Sequence, residues 1–163
     1  GGAVSKERKT GLVSLDGVKW AKAAAGPTKG KTPTAVSQIL QPGDVTRGES
    51  LAALEAIAPV VAIRGNIDKT GRAATLPDVQ ELEFLGHAFY MLHDVKTLDF
   101  DPQGRFRVVI AGHSHKPRNE WIGDVLYFNP GGAGPRRFTL PITVGRLQVS
   151  EDSVVGEIIE LPV

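Results

Sequence analysis

Short apolar runs that end in a glycine followed by a polar, metal-ligating type of residue recur along this chain of 163 residues. The clearest case is the apolar run 108–111, which leads directly into Gly112-His113-Ser114-His115. A run of this kind between turn residues is typical of a buried strand, and a glycine lets the backbone and a ligand approach closely. Two imidazoles where a buried strand enters a loop are well placed to bind a metal ion.

Two similar turns occur earlier, at Gly43-Asp44 and Gly65-Asn66, and His93 closes the apolar run 89–92. Taken singly, Asp and Asn beside a glycine are explained by turn propensity alone. Because each of them follows an apolar run, we expect them to meet at one edge of a sheet. Carboxylate, amide and imidazole ligands suit a borderline divalent ion such as Mn, Fe, Ni, Co or Zn, and the chain has no cysteine to offer a thiolate.

The overall composition predicts an ordinary globular protein with a single domain over residues 1–163. Hydrophobic residues make up 41% and charged residues 23%, and the formal net charge is +1. So small a charge predicts no specific binding to nucleic acid and no attraction to an anionic membrane surface. Since the sequence shows neither a membrane-spanning run nor a signal-peptide pattern at its start, we expect a cytoplasmic location.

The hydrophobic pattern predicts one helix and many strands. Apolar residues at helical spacing place the helix over 49–57, and the strands are expected at 11–15, 59–63, 81–85, 88–92, 106–111, 125–128, 137–149 and 154–161. Residues 19–42 are expected to be irregular or partly disordered, because Gly26, Pro27, Gly30 and Pro33 interrupt any helix there. This mixture predicts an α+β fold built as a sheet sandwich flanked by a few helices.

Together these motifs resemble the calcineurin-like metallophosphoesterases, most closely their small bacterial and archaeal phosphodiesterase branch. The resemblance runs from about Gln41 to the C-terminus and includes Tyr127-Phe128-Asn129-Pro130-Gly131. It implies a two-sheet β-sandwich flanked by helices (an αββα arrangement), with a dinuclear metal centre on the loops at one edge. It further implies a metal-dependent phosphodiesterase that hydrolyses a small phosphodiester through a metal-bridging hydroxide. Homodimers are common in the family.

The resemblance also implies roles for individual residues. Asp44 would bridge two divalent ions, one completed by three further ligands and the other by two. The implied metal ligands are Asp16, Asp44, Asn66, His93, His113 and His115. Asn66, His93 and His113 belong to the first group, Asp16 and His115 to the second, and Asp44, Asn66 and His93 are the implied catalytic residues.

The chain departs from the family pattern at its first motif. The family has Asp-x-His there, whereas this chain has Asp16-Gly17-Val18, and valine cannot bind a metal. Natural degeneration and a locally shifted reading frame across 19–41 both explain this. We therefore expect the ion shared by Asp16, Asp44 and His115 to bind the more weakly. The alternative is a catalytically inactive binding or scaffold protein with the same fold, as the small retromer subunit illustrates.

Two further positions bear on specificity. Larger relatives place a histidine after the Asn of the second turn as a general acid, but here the residue is Ile67. Substrates whose leaving group needs no protonation, such as aryl diesters, are then preferred. Arg136 and Arg137 admit two interpretations, as phosphate contacts or as surface charges at a strand start. We expect the Asn129-Pro130-Gly131 turn to position His115 rather than to bind metal.

Overall fold

The computed structural model describes residues 36–45, 48–134 and 136–162, and the backbone of residues 9–13. Ten strands and one α-helix occur in these ranges. The helix, α1, is Gly48–Glu55, and the strands are β1 (Lys9–Val13), β2 (Gln38–Gln41), β3 (Val60–Ala62), β4 (Val79–Phe84), β5 (His87–Leu92), β6 (Val108–Ile110), β7 (Arg118–Ile122), β8 (Val125–Asn129), β9 (Thr143–Val149) and β10 (Val154–Glu160).

The strands form two mixed five-stranded sheets. The first has the order β10-β9-β1-β2-β3, with β1, β2 and β3 parallel and β9 antiparallel to both β1 and β10. The second has the order β4-β5-β6-β8-β7, with β5, β6 and β8 parallel between two antiparallel edge strands. Each sheet therefore has three adjacent parallel strands whose carboxyl ends share one edge.

The main core lies between the two sheets. Alternation along each strand sends neighbouring side chains to opposite faces. Leu40 thus joins the cluster between the sheets, where it meets Phe89, Met91 and Ile110, while Ile39 belongs to a second cluster with Leu54 of α1. Parallel strands covered on both faces are buried throughout, as β6 is.

Helix α1 covers the outer face of the first sheet, with Leu51 and Leu54 buried. The outer face of the second sheet is covered by the segment that follows β5, which includes a 3₁₀ turn at Val95–Thr97, and Val95 and Leu98 pack there against buried strand residues. The predicted α+β sandwich is confirmed. Within the described ranges, no helix is long and apolar enough to cross a membrane.

The structure differs from the sequence prediction in three places. Residues 38–41, inside the segment predicted to be irregular, form β2 between β1 and β3; residues 19–35 lie outside the described ranges. Strand β7 was not predicted, because four of its five residues are exposed and the apolar signal is weak. The strand predicted over 137–149 begins only at Thr143, since Pro141 interrupts it.

Candidate metal centre

Five of the six predicted ligands come together at the carboxyl ends of the parallel strands. Asp44 follows β2, Asn66 follows β3, His93 follows β5, and His113 and His115 follow β6. The two sheets meet at this edge, where side chains from both approach one another. The sixth residue, Asp16, lies outside the described residues, as does Val18.

One oxygen of Asp44 faces a compact group of ligand atoms. His93 Nε2 lies 3.4 Å from Asp44 Oδ1 and 2.9 Å from Asn66 Oδ1. His113 Nδ1 lies 3.2 Å from Asn66 Oδ1 and 3.3 Å from His93 Nε2. Ligand atoms at bond lengths of about 2.0–2.2 Å around one ion stand roughly 3 Å apart. We call these four atoms the Oδ1 cluster.

The tautomer of His93 also favours a cation at the Oδ1 cluster. His93 Nδ1 lies 2.8 Å from the carbonyl oxygen of Pro42. A carbonyl only accepts, so Nδ1 donates and a neutral His93 presents its Nε2 lone pair to the cluster. Asp44 Oδ1 is buried and has no hydrogen-bond partner among the residues that the structure describes. A buried carboxylate oxygen without a hydrogen bond is energetically unfavourable. A divalent ion bound among the lone pairs of the Oδ1 cluster would offset this cost.

The amide of Asn66 is essential to this group. Among the described residues, His, Asp and Glu side chains by themselves form no group of three that could hold a metal ion. The Asn66 oxygen is the atom that both histidines approach within 3.2 Å. A metal ion at the Oδ1 cluster would therefore be held by a mixed set of carboxylate, amide and imidazole donors.

The other oxygen of Asp44 faces His115, with His115 Nε2 at 3.9 Å from Asp44 Oδ2. The two carboxylate oxygens thus point toward different histidine groups, as a bridging ligand requires. Burial lowers the pKa of His115, the charge of Arg137 lowers it further, and Asp44 opposes them. A lowered pKa favours neutral imidazole, which is the form that binds metal.

Backbone strain is concentrated at this edge. Five non-glycine residues among those described have positive φ, and three of them are Asp44 (57°), His113 (60°) and His115 (54°). Left-handed backbone is uncommon for residues other than Gly, Asn and Asp. Such conformations cluster at functional sites, where surrounding structure maintains them.

Two glycines allow the strand ends to approach. A Cβ on Gly43 would lie 2.4 Å from His93 Nδ1, and one on Gly65 would lie 2.3 Å from Asp44 Oδ1. Asp68, buried to 3% exposure, joins the same two loops, because its Oδ2 accepts from the amides of Gly65 at 2.8 Å and Val45 at 3.1 Å. Sequence analysis assigned no role to Asp68, although its position two residues after Asn66 is a recognisable turn signal.

The histidine loop is anchored by Asn129. Its Nδ2 donates to the Gly112 carbonyl at 2.7 Å and to Ser114 Oγ at 3.2 Å, and its Oδ1 accepts from the Gly131 amide at 3.0 Å. The polar side chain thereby fixes the residues on either side of His113. Asn129 therefore positions the loop, because both its amide nitrogen and its amide oxygen are hydrogen-bonded to other groups of the protein.

Asp94 is a second residue that sequence reasoning missed. Its Oδ2 lies 3.8 Å from His113 Nε2, on the opposite side of the ring from the Oδ1 cluster. Its Oδ1 accepts from the Lys96 amide at 3.0 Å, so the carboxylate is held in place. A carboxylate that contacts the far nitrogen of a metal-binding histidine orients its ring. The only sequence signal for Asp94 was its position next to His93.

An open cleft of about 680 Å³ lies beside the Oδ1 cluster. Asn66, His93 and His113 are part of its lining, together with Asp94 and Lys69. Ile67 follows Asn66 and is 42% exposed. The cleft therefore gives solvent and small molecules access to the ligand atoms from the His113 side.

The two-sheet sandwich, with carboxylate, amide and imidazole side chains gathered at one edge, is typical of a protein of the metallophosphoesterase type. Residues 22–152 match the calcineurin-like phosphoesterase superfamily domain, so the chain belongs to this family, whose members generally bind divalent metal ions. A probable metallophosphoesterase of Methanothermobacter thermautotrophicus is 30% identical over 132 residues, covering 76% of each chain.

Solved structures share the fold. An archaeal phosphodiesterase, described as novel, aligns with a TM-score of 0.71 and 20% identity, covering 92% of this chain and 99% of that one. Vacuolar protein sorting 29 from Cryptosporidium parvum aligns with a TM-score of 0.75 and 17% identity, covering 95% of this chain and 92% of that one. At these identities the likeness concerns the fold alone.

Proposed function

We propose that this protein is a metal-dependent phosphodiesterase with a dinuclear centre at the ends of β2, β3, β5 and β6. The observation that carries the proposal is the orientation of Asp44, whose Oδ1 lies 3.4 Å from His93 Nε2 and whose Oδ2 lies 3.9 Å from His115 Nε2. A carboxylate shared between two ligand groups is what two neighbouring cations require. Membership of the phosphoesterase family makes phosphate-ester hydrolysis the reaction class.

The donor set fits borderline divalent ions, with Mn, Fe, Co, Ni and Zn all compatible. When bound, two such ions neutralise the charge of a phosphate and lower the pKa of a coordinated water. The chain's own contribution is to hold the ligands. Pro42 fixes the tautomer of His93, and Asn129 fixes the loop of His113. Gly43 leaves room for the His93 ring, and Gly65 leaves room for Asp44.

The preference for diesters with good leaving groups rests on Ile67. This side chain stands next to Asn66 and is partly exposed, and it cannot donate a proton to a departing oxygen. An aryl oxide departs without protonation, whereas an alkoxide needs a general acid. The cleft beside the Oδ1 cluster is large enough for the organic group of a small diester.

The test is to purify the protein in excess manganese, measure metal per chain, and assay bis(4-nitrophenyl) phosphate and 4-nitrophenyl phosphate on the same sample. We expect bound metal and faster hydrolysis of the diester, with loss of turnover in His113→Ala. His87→Ala is the matched control, since His87 contacts the carbonyl of Ser150 rather than the centre. Faster hydrolysis of the monoester would contradict the diester preference.

A second candidate is an inactive scaffold of the same fold, favoured by the structural likeness to vacuolar protein sorting 29 and by Val18 at the first motif. The same assay separates the two functions. A folded protein that hydrolyses neither substrate with any of Mn, Co, Ni or Zn would favour the scaffold.

A further inference from the structure

The cleft beside the Oδ1 cluster runs between the segment that follows β3 and the segment that follows β5. The first wall consists of residues between 64 and 79 and the second of residues between 92 and 97, and His113 completes the lining. All of these residues belong to the described ranges. With a volume of about 680 Å³, the cleft has room for much more than one phosphate. The organic part of a substrate whose phosphate reaches the cluster therefore lies in the cleft.

Most charged side chains that line the cleft already have partners in the protein. The Arg64 guanidinium donates to Asp78 Oδ1 from Nη2 at 2.6 Å and from Nε at 3.0 Å. Asp68 is buried, and its Oδ2 accepts from two backbone amides. Asp94 Oδ1 accepts from a backbone amide, while Asp94 Oδ2 faces His113. These groups are thus engaged in holding the walls and the ligands.

Lys69 is the exception. It lines the same cleft and is exposed, yet no carboxylate oxygen of a described residue lies within 4 Å of its ammonium group. Because Asp44 and Asp94 are among those acids, the ammonium also stands clear of the carboxylates around the Oδ1 cluster. Its charge is therefore available to the part of a bound molecule that extends away from the cluster.

The backbone of Lys69 belongs to the same short turn as Asn66. The Asp68 amide donates to the Gly65 carbonyl at 3.3 Å, and the Lys69 amide donates to the Ile67 carbonyl at 3.0 Å. The Asp68 carboxylate ties this turn to the loop that follows β2, since it accepts from one amide on each. The turn thus presents Asn66 to the cluster and Lys69 to the cleft from one anchored stretch of backbone.

We propose that Lys69 is a substrate-specificity residue, which binds a second anionic group, a phosphate or a carboxylate, on the organic part of a phosphodiester. The scissile phosphate lies at the Oδ1 cluster and the second anion lies further along the cleft. An ammonium is a compact charge on a flexible stem and suits either anion. This inference rests on the proposed phosphodiesterase function and names its substrate class.

Two matched pairs of diesters, all with 4-nitrophenol as leaving group, test the charge preference. The first pair is propyl 4-nitrophenyl phosphate and 2-carboxyethyl 4-nitrophenyl phosphate. The second pair is the 4-nitrophenyl ester of thymidine 5′-phosphate and the same ester with a 3′-phosphate. We expect kcat/KM to favour the anionic member of at least one pair by about fivefold through KM, the size of one ion pair with an exposed lysine.

The two pairs also distinguish the sources of the anion. A preference in the first pair assigns a carboxylate close to the diester, and a preference in the second assigns a phosphate at the distance set by a nucleotide. No preference in either pair would overturn the inference.

Variants at Lys69 separate direct contact from general electrostatics. Lys69→Gln should reduce the preference to about one, while Lys69→Arg should keep it because the charge is retained. Lys96→Gln is the matched control: it removes the same charge from an exposed residue of the opposite segment that does not line the cleft, and it should leave the preference unchanged. A preference that persists in Lys69→Gln, or that falls equally in Lys96→Gln, would contradict the assignment.

Folding is checked on the same variants. The Lys69 side chain is exposed and has no ion pair with a described residue, so the melting temperature of Lys69→Gln should equal that of the wild-type protein. A preference that is lost together with stability would count against a recognition role.

A binding measurement without turnover distinguishes failure of this inference from failure of the proposed function. The ligands are the phosphate monoesters that the two pairs would leave: propyl phosphate against 2-carboxyethyl phosphate, and thymidine 5′-phosphate against thymidine 3′,5′-bisphosphate. They are titrated by calorimetry into protein that was purified in excess manganese and then desalted. We expect about fivefold tighter binding of the ligand with the second anion, lost in Lys69→Gln.

The two experiments together assign each failure. If the binding preference is obtained while no diester is hydrolysed, the recognition site stands and the activity fails. Hydrolysis with no charge preference in rate or binding overturns the recognition site alone. Absence of both hydrolysis and binding preference overturns both proposals.

Discussion

The two sides of Asp44 are built differently. On the Oδ1 side, three ligand residues from three different strand ends place their atoms within 3.4 Å of a neighbour in the cluster. On the Oδ2 side, the described residues provide His115 alone, at 3.9 Å. The other expected ligand, Asp16, belongs to the motif that has Val18 where the family has a histidine. Among the described residues, the Oδ1 side is therefore supported by the ends of several parallel strands, whereas the Oδ2 side is supported by a single loop.

The largest expected effect comes from removing the residue that the two sides share. Asp44→Asn keeps the size of the side chain and tolerates its left-handed backbone, but it removes the charge that holds two cations together. We expect both ions to be lost and diesterase activity to fall by about a thousandfold. Metal content and kcat/KM on the same preparation check this. Retention of two ions per chain would contradict the bridging role.

The next comparison removes one ligand from each side. His113→Ala should weaken the tighter site by at least about a hundredfold, because it deletes an atom 3.2 Å from Asn66 Oδ1. His115→Ala should leave that site intact and abolish only the weaker one. Titration of metal-free protein with Mn, followed by calorimetry, gives the two affinities.

In the wild-type protein this titration should show two unequal sites, and the affinity of the tighter one should be reduced in His113→Ala and unchanged in His115→Ala. Two sites of equal affinity would contradict the difference between the sides. The same would follow if the two variants lost metal to the same extent.

The smallest effect is expected at Asp94, which contacts the tighter side indirectly through His113 at 3.8 Å. Asp94→Asn should weaken metal binding there by about tenfold without changing the weaker site. Asp99→Asn, an equal charge change on the same segment, is the control and should leave both affinities unchanged. Equal effects of the two variants would indicate general electrostatics rather than orientation of His113.

Much of the fold and of the centre followed from local sequence. Apolar runs ending at Gly112 and Gly65 predicted β6 and β3, and the confirmed sandwich explains why the predicted ligands meet, since parallel strands in both sheets end at one edge. The family motifs assigned roles to these residues, and those roles stay predictions until metal is measured. The predicted Asp16 ligand lies outside the described residues.

What the sequence could not predict depends on tertiary contacts. Strand β2 is only four residues long, and its pairing with β1 and β3 has no local signal. The joining role of Asp68 requires amides from two separate loops. In the structure, a turn at Phe138 lies where the predicted strand would begin. Hydrophobic periodicity carries no information about the left-handed backbone at this residue.

The absence of a side chain at Gly65 limits how this protein can evolve. A single methyl group at position 65 would lie 2.2 Å from the amide nitrogen of Asp44, and a rigid backbone cannot yield to it as a flexible side chain can. In a library of random substitutions, position 65 should accept almost no other residue, although glycine carries neither a side chain nor a charge. Neutral drift toward new specificities must therefore proceed through the side chains that line the cleft.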